Sequence, residues 1–299
     1  MSMSATTRRV LKYASVRLFL HADRLGVHVL PKHYYSSLPD YSWLDENRAV
    51  WRRRVDLTGM HWNISEQLTW LRRHCEETYH EVKGLKFYTK AEHMGYGPGY
   101  GPIESQLLHC VCRAVKPRRW IEVGSGVSTL CTLNALKLNT LEGSSDCEVM
   151  CIEPFPNKTL TEVNGAQLVR QAVQTLPLTT FEALGPGDVL FIDSTHAVKT
   201  GSDVQYLLLE VIPRLRPGVL VHIHDIFLPY LHRPDILTSY FDWQETTLLL
   251  ALLKGNRTLN VRACLSALHH DAPKQLNEAL GDYNPTEHFP TSIWLEVGE

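Results

Sequence analysis

The chain has 299 residues, 44% of them hydrophobic and 21% charged, with a formal charge of −2. These values suit one large globular domain with an extension, and the near-neutral balance excludes a general electrostatic case for nucleic-acid binding. Seven cysteines, an odd number scattered along the chain, speak against a disulfide framework and read as small buried hydrophobes of a reducing compartment.

In chain order, residues 8–26 read first as a basic amphipathic helix, with Val10, Leu11, Ala14, Leu18 and Leu25 near one face and Gly26 to end it. Such a helix either lies on a membrane surface or packs on its own domain, and the packed reading is preferred. Arg17 and His21 interrupt any signal-peptide core, and no apolar stretch is long enough to span a bilayer, so a cytoplasmic protein is expected. Pro31 to Asp40 is an irregular polar–aromatic stretch containing Tyr34 and Tyr35. Arg52-Arg53-Arg54 is a charge run of the kind that forms a solvated face. Asn63 to Cys75 reads as a helix capped near Asn63, with Ile64, Leu68 and Leu71 on one stripe. Gly95 to Pro102 forms a hinge-like loop. Its glycines suit a lid and Tyr96 and Tyr100 suit stacking on a base, while a plain linker fits equally. The loop divides the chain into an N-terminal helical cap, residues 1–95, and a second domain, residues 96–299.

Pro102 suits the first turn of a helix running to about Val115. From Arg119 onward the pattern alternates between strand and helix. Trp120 to Val123 is a short apolar run of buried-strand type, followed by a helix to about Leu138. Glu148 to Ile152 is the second strand and Leu168 to Val173 a weak third. Gly187 to Asp193 is the fourth, and Ser202 to Leu215 the helix after it. Pro217 to Asp225 is the fifth strand, and Gln244 to Leu253 the next helix. Thr258 to Leu265 and Ser292 to Val297 are two final strands joined by a polar connection. Repeating βα units predict an α/β fold: a doubly wound, mostly parallel, seven-stranded Rossmann-like sheet with helices on both faces and an N-terminal helical extension. Ligands then collect at the C-terminal edge of the strands.

Chemistry-bearing residues fall at that edge. Gly124 and Gly126 permit a sharp turn and close approach of a ligand to bare backbone, with Ser125 between them and Ser128 and Thr129 opening the next helix. Glu122 offers a carboxylate at the strand end and is expected to bind the cofactor, holding a cationic or hydroxyl-bearing part of it. An ordinary βα turn explains the two glycines equally well, and the third glycine of the dinucleotide fingerprint is absent, which favours a different nucleoside ligand. Glu153, at the end of the second strand, is placed to accept both hydroxyls of a ribose. Asp193 ends the fourth strand and His224-Asp225 the fifth. Neighbouring strands lie about 4.8 Å apart, so these residues, with His196, can share one ion or move a proton.

The set Glu122-Val123-Gly124-Ser125-Gly126, Cys151-Ile152-Glu153-Pro154, Phe191-Ile192-Asp193-Ser194 and His222-Ile223-His224-Asp225 resembles the class I S-adenosylmethionine-dependent methyltransferases. The closest likeness is to the bacterial subgroup with Ile-Asp-Ser-x-His and His-x-His-Asp signatures. The resemblance covers about residues 100–299, and Tyr34-Tyr35-Ser36 resembles that subgroup's N-terminal extension. It implies that Gly124, Ser125 and Gly126 touch the methionine part of S-adenosylmethionine and Glu153 its ribose. It also implies that Asp193, His224 and Asp225 stand where catechol-type O-methyltransferases hold Mg²⁺, and that Lys199 falls near their catalytic lysine. His224 departs from that pattern, where an acidic ligand is expected. Imidazole favours Fe, Mn, Zn or Ni over Mg²⁺, so the divalent metal is left open.

The function expected is metal-assisted O-methylation of a small hydroxylated metabolite. Asp193, His196, His224 and Asp225 would hold the ion, and His196 or Lys199 would act as general base. His222, two residues before His224 on the same strand face, is expected to be buried and hydrogen-bonded rather than a ligand. Tyr34, Tyr35, Tyr96 and Tyr100 could cover the substrate. The alternative is a non-haem iron oxygenase or hydroxylase on the same fold, using His196, His224 and Asp193 as a facial triad. No long basic groove with interleaved aromatics points to nucleic acid, and a homo-oligomer is compatible with the chain.

Overall fold

The computed structural model describes residues 5–30, 32, 34–36, 38–96, 99–239 and 241–299, with the side chains of 5–11 left aside. Its centre is a sheet of β1 (Arg119–Val123), β2 (Glu148–Ile152), β3 (Gln167–Val169), β4 (Val189–Ile192), β5 (Leu220–His224), β6 (Leu259–Cys264) and β7 (Ser292–Val297). The strand order is β3-β2-β1-β4-β5-β7-β6, and all strands run parallel except β7, which pairs antiparallel with both neighbours. The chain leaves β1 toward β2 and β3 and then returns to the other side of β1 with β4. The crevice between β1 and β4 is therefore the switch point at which open α/β sheets bind ligands.

Side-chain alternation gives the sheet two dry faces. Trp120, Cys151, Phe191 and Trp294 pack on one face against Leu71, Leu107 and Leu108 of the Ile64–Cys75 and Pro102–Val115 helices. Ile121, Leu190, Val221 and Ile223 pack on the other against Val204, Leu208 and Leu249. Asn63 caps its helix through bonds from the Ser65 and Glu66 amides, and Pro102 opens the next one, both as the sequence predicts.

Several expectations need correction. Leu68, Leu71, Val82 and Ala91 lie in the same core as β1 and β4, so the boundary expected at residue 95 does not coincide with a break in the core. Among its described side chains the Ala5–Asp23 helix exposes Tyr13, Ala14, Val16, Leu18 and Leu20 and buries Ala22, and Leu25 beyond it is exposed, so Ala14, Leu18 and Leu25 of the expected stripe are not packed. Val10 and Leu11 of its expected stripe lie outside the described side chains, as do residues Pro31, His33 and Ser37 of the polar–aromatic stretch and Gly97 and Pro98 of the loop. The helix expected over Ser202 to Leu215 keeps α geometry only at Asp203–Tyr206, then widens to a π turn over Leu207–Val211 and tightens over Ile212–Arg214. Pro213 has no N–H to continue an α ladder. The connection between β6 and β7 carries two short helices, Leu265–Asp271 and Pro273–Ala279, which bury Leu265, Leu268 and Leu276. All seven cysteines are free, and no described helix is long and apolar enough to cross a membrane.

Candidate active site

The turn after β1 is held from beneath. Glu122 points into the core rather than the cleft, because alternation puts it on the face of Trp120. Its carboxylate accepts from Ser128 Oγ and Thr129 Oγ1, each at 2.7 Å, and from Trp120 Nε1 at 3.3 Å. Burial pushes the Glu122 carboxyl up to about 7 against these three donors. The residue expected to meet a ligand thus ties the strand end to the first turn of the Val127–Leu141 helix. Gly124 has φ +78°, and a Cβ there would collide with the Asp193 carbonyl, since Val123 pairs with Ile192 and both strands leave the sheet together. A Cβ on Gly126 would stand 3.3 Å from the Tyr96 carbonyl.

Above this turn lies a cleft of about 370 Å³ lined by Tyr96, Tyr100, residues 124–128, Glu153, Asp193, Ser194, His196, Asp225 and Trp243. Ser125 Oγ and Ser194 Oγ are buried there without a hydrogen-bond partner. Glu153 emerges from β2 and accepts the Phe155 amide at 2.8 Å.

At the far wall, the pairing of Ile192 with Ile223 sets Asp193 beside His224. Asp193 Oδ1 lies 3.3 Å from His224 Nδ1 and 3.4 Å from His196 Nε2. Asp225 Oδ2 is 3.8 Å and 3.6 Å from the same two nitrogens. One donor atom from each of Asp193, His196 and His224 falls within 4.8 Å of the others, a set able to hold a metal ion. His196 (φ +59°) and Asp225 (φ +52°) both occupy the left-handed region, which costs a non-glycine residue roughly 1–3 kcal/mol and persists where surroundings enforce it.

Two carboxylates not expected from the sequence back the imidazoles. Glu245 Oε2 sits 2.8 Å from His196 Nδ1, and Glu104 Oε1 sits 3.9 Å from His224 Nε2 while accepting the Thr291 amide at 2.8 Å. Burial would lower His224, but the Asp193 charge outweighs it and pushes the imidazole up to about 9. Burial would likewise lower His196, yet Asp193 and Glu245 hold it well above its ordinary value. Burial would raise Asp193, and the two imidazoles instead hold it well below the usual carboxylate range. Trp243 packs on His196 with ring centroids 4.5 Å apart. Glu104 could have been noticed as a carboxylate in an otherwise buried helical run. Glu245 lies 49 residues from His196, and no local pattern marks it.

His222 is fully buried, stacked on Phe191 at 4.3 Å, and shares a 3.2 Å hydrogen bond with the Tyr100 hydroxyl. Tyr96 and Tyr100 are both buried and both line the cleft, Tyr100 anchored in the core through His222. Tyr34 and Tyr35 are exposed and line no part of the cleft. Lys199, expected near the reacting atoms, is also exposed and off the cleft, on the loop between Thr195 and Ser202.

Residues 121–226 match the family model of a methyltransferase domain. No curated protein matches the chain. Among solved structures it is similar to the O-methyltransferase TomG from Streptomyces achromogenes, involved in tomaymycin synthesis and bound to S-adenosylmethionine. The identity is 15% over 80% of this chain and 92% of that one, with a TM-score of 0.44. A Podospora anserina methyltransferase bound to S-adenosylhomocysteine is 13% identical over 91% of this chain and 100% of that one, with a TM-score of 0.42. An O-methyltransferase from Bacillus cereus, also with S-adenosylhomocysteine, is 12% identical over 86% and 99%, with a TM-score of 0.40. These scores are low, and the Rossmann-like fold rests on the strand order and register.

Proposed function

We propose that the chain is an S-adenosylmethionine-dependent O-methyltransferase that acts, with a divalent ion, on a small hydroxylated molecule. The observation that carries this reading is a bare glycine turn with two orphan hydroxyls, Ser125 and Ser194, opening onto a carboxylate–imidazole cluster. A buried polar group without a partner costs roughly 1–3 kcal/mol, and a polar ligand in the cleft relieves that cost. The methyltransferase-domain match supports the same reading.

Gly124, Ser125 and Gly126 would hold the methionine part of the cofactor, and Glu153, at the neighbouring strand end, its ribose hydroxyls. Asp193, His196 and His224 fit a divalent ion, with Asp225 Oδ2 close to both imidazoles as a further donor, and the mixed nitrogen and oxygen donors suit Mn, Fe or Zn better than Mg. His224 Nδ1 faces Asp193 Oδ1 at 3.3 Å, the side of the ring that would ligate. When bound, the cofactor supplies an electrophilic sulfonium methyl, and the ion favours the ionised form of a hydroxyl. Methyl transfer would need the acceptor hydroxyl aligned with that methyl, which the adjoining glycine turn and acid–imidazole cluster would allow. Glu245 fixes the His196 ring so that Nε2 faces the cleft, where the imidazole in its neutral form would accept the hydroxyl proton. Lys199 has no part in this arrangement. A hydroxylase would draw on the same Asp193, His196 and His224, and the glycine cleft beside them is what favours methyl transfer.

The test is calorimetric binding of S-adenosylmethionine to Ser125→Ala and Ser194→Ala. Both variants should stay folded and bind the cofactor more weakly than the parent, with thermal melts run alongside to confirm the fold. Unchanged affinity in both would remove the ligand from this cleft.

A further inference from the structure

A second cavity, of about 520 Å³, adjoins the glycine-turn cleft, and Asp225 lines both. Its walls are aromatic. Trp51, Phe227, Tyr230 and Phe289 line it with His232, His269 and His270. His269 packs on Phe289 with ring centroids 4.8 Å apart, and His270 meets Tyr230 edge-on at 5.0 Å. Burial lowers all three imidazoles below their ordinary value, so these walls are neutral near pH 7.

Two guanidinium groups complete the lining, and they differ. Arg233 is bound at both Nε and a terminal nitrogen by Asp235, each at 2.9 Å, which consumes its charge. Arg52 is exposed, stacks over Trp51 at 5.2 Å, donates to the Pro234 carbonyl at 2.6 Å, and pairs with no carboxylate among the described residues. Trp51 is itself fixed by its indole N–H on the Leu44 carbonyl at 2.8 Å. An aromatic slot thus has a cation at its mouth whose charge is unmet, and an acid shared with the reacting cluster.

We infer that this cavity takes the methyl acceptor and that the acceptor is a hydroxylated aromatic carboxylate, its ring held by the aromatic walls and its carboxylate by Arg52. The inference rests on the methyl-transfer reading above and adds the acceptor's class to it. Rings stack against rings and histidines, and a planar guanidinium with free donors matches a carboxylate. The N-terminal segment enters the site through Trp51 and Arg52 rather than through Tyr34 and Tyr35. Residues 52–54, whose charge run suggested only a solvated face, contribute one arginine to recognition.

Calorimetry with three matched probes tests this in protein saturated with S-adenosylhomocysteine: 4-hydroxyphenylacetate, its neutral amide, and the cationic amine tyramine. The acid should bind about five-fold or more tighter than the amide, the order expected for a partly solvated ion pair, and tyramine should bind weakest. Arg52→Gln should bring the acid to the level of the amide and leave the amide unchanged, while Arg52→Lys should keep much of the preference. Equal affinity for the three probes, tyramine binding tightest, no binding of any probe, or an acid preference that survives Arg52→Gln would each overturn the inference. S-adenosylhomocysteine titrated into the same samples reports the cleft separately. If it binds and the probes fail, the acceptor assignment falls alone. If it does not bind, the methyl-transfer reading falls with it.

Discussion

Glu245 Oε2 lies 2.8 Å from Nδ1 of His196, at the buried start of the Glu245–Leu253 helix, and this contact leaves Nε2 of the ring facing Asp193 and Asp225. A carboxylate behind a ligating imidazole sets its tautomer and orientation, and loss of such a partner typically weakens metal affinity 10–100-fold. Glu245→Gln keeps the size of the side chain and removes its charge. Equilibrium dialysis against Mn²⁺ or Zn²⁺ should show a drop of about that order, with the far-ultraviolet circular dichroism unchanged. Unaltered ion affinity would make the contact purely structural.

Asp193 faces both imidazoles, so its removal should be more severe than that of any other member of the cluster. Asp193→Ala should abolish ion uptake, because the carboxylate neutralises much of the ion's charge. His196→Ala distinguishes two roles. If His196 ligates, ion content falls together with turnover. If it only accepts the proton, ion content stays and turnover drops about 10²–10⁴-fold. Full turnover by chelated, ion-free protein would refute ion assistance altogether.

Lys199 provides a contrasting case. The resemblance placed it near the reacting atoms, whereas it is exposed and off the cleft. Lys199→Ala should leave kcat and KM within about two-fold of the parent, as an exposed substitution away from the chemistry does. A loss comparable to that of His196→Ala would show that the Thr195–Ser202 loop rearranges to bring the ammonium inward.

Glu122 carries a pH signature that does not depend on any ion. Its folded value of about 7 stands above the 4.5 of a free glutamate, so the folded state binds more protons than the unfolded state between the two values. Stability from this group therefore falls as pH rises through that window, and the cost of burying the carboxylate is fully felt above about pH 7. Glu122→Gln retains an oxygen for Ser128 and Thr129 but cannot ionise. Denaturant melts of parent and variant should converge below pH 5, and the variant should gain on the parent by on the order of 3 kcal/mol by pH 8. A constant difference across that range would contradict the buried, raised carboxyl.

Much of the fold was legible because its signals are local. β2 and β7 begin and end where the apolar runs do, and the helices after Asn63 and Gly101 start where a cap and a proline put them. Strand ends then placed Gly124, Glu153, Asp193, His224 and Asp225 at one edge, since parallel pairing aligns them. What was not legible depends on packing. Side-chain alternation turned Glu122 inward, although it stands in a strand-end motif. Glu104 and Glu245 reach the cluster from helices distant in the chain, and Trp51 and Arg52 line a cavity with residues drawn from 225–235, 266–270 and 289–291. The short helices between β6 and β7 span too few turns for periodicity to register. The Ala5–Asp23 helix shows apolar residues that no sequence pattern could assign to a buried or an open face.

The central claim is that S-adenosylmethionine binds on the bare backbone of the turn after β1. Calorimetric titration of S-adenosylmethionine into the parent protein and into Gly126→Val tests it most directly, with thermal melts confirming that both are folded. The account predicts one site per chain in the parent and loss of binding in the variant, because the added side chain crowds the Tyr96 carbonyl at the wall of the cleft. A folded parent that binds no cofactor, or a folded Gly126→Val that binds it with parental affinity, would contradict the account.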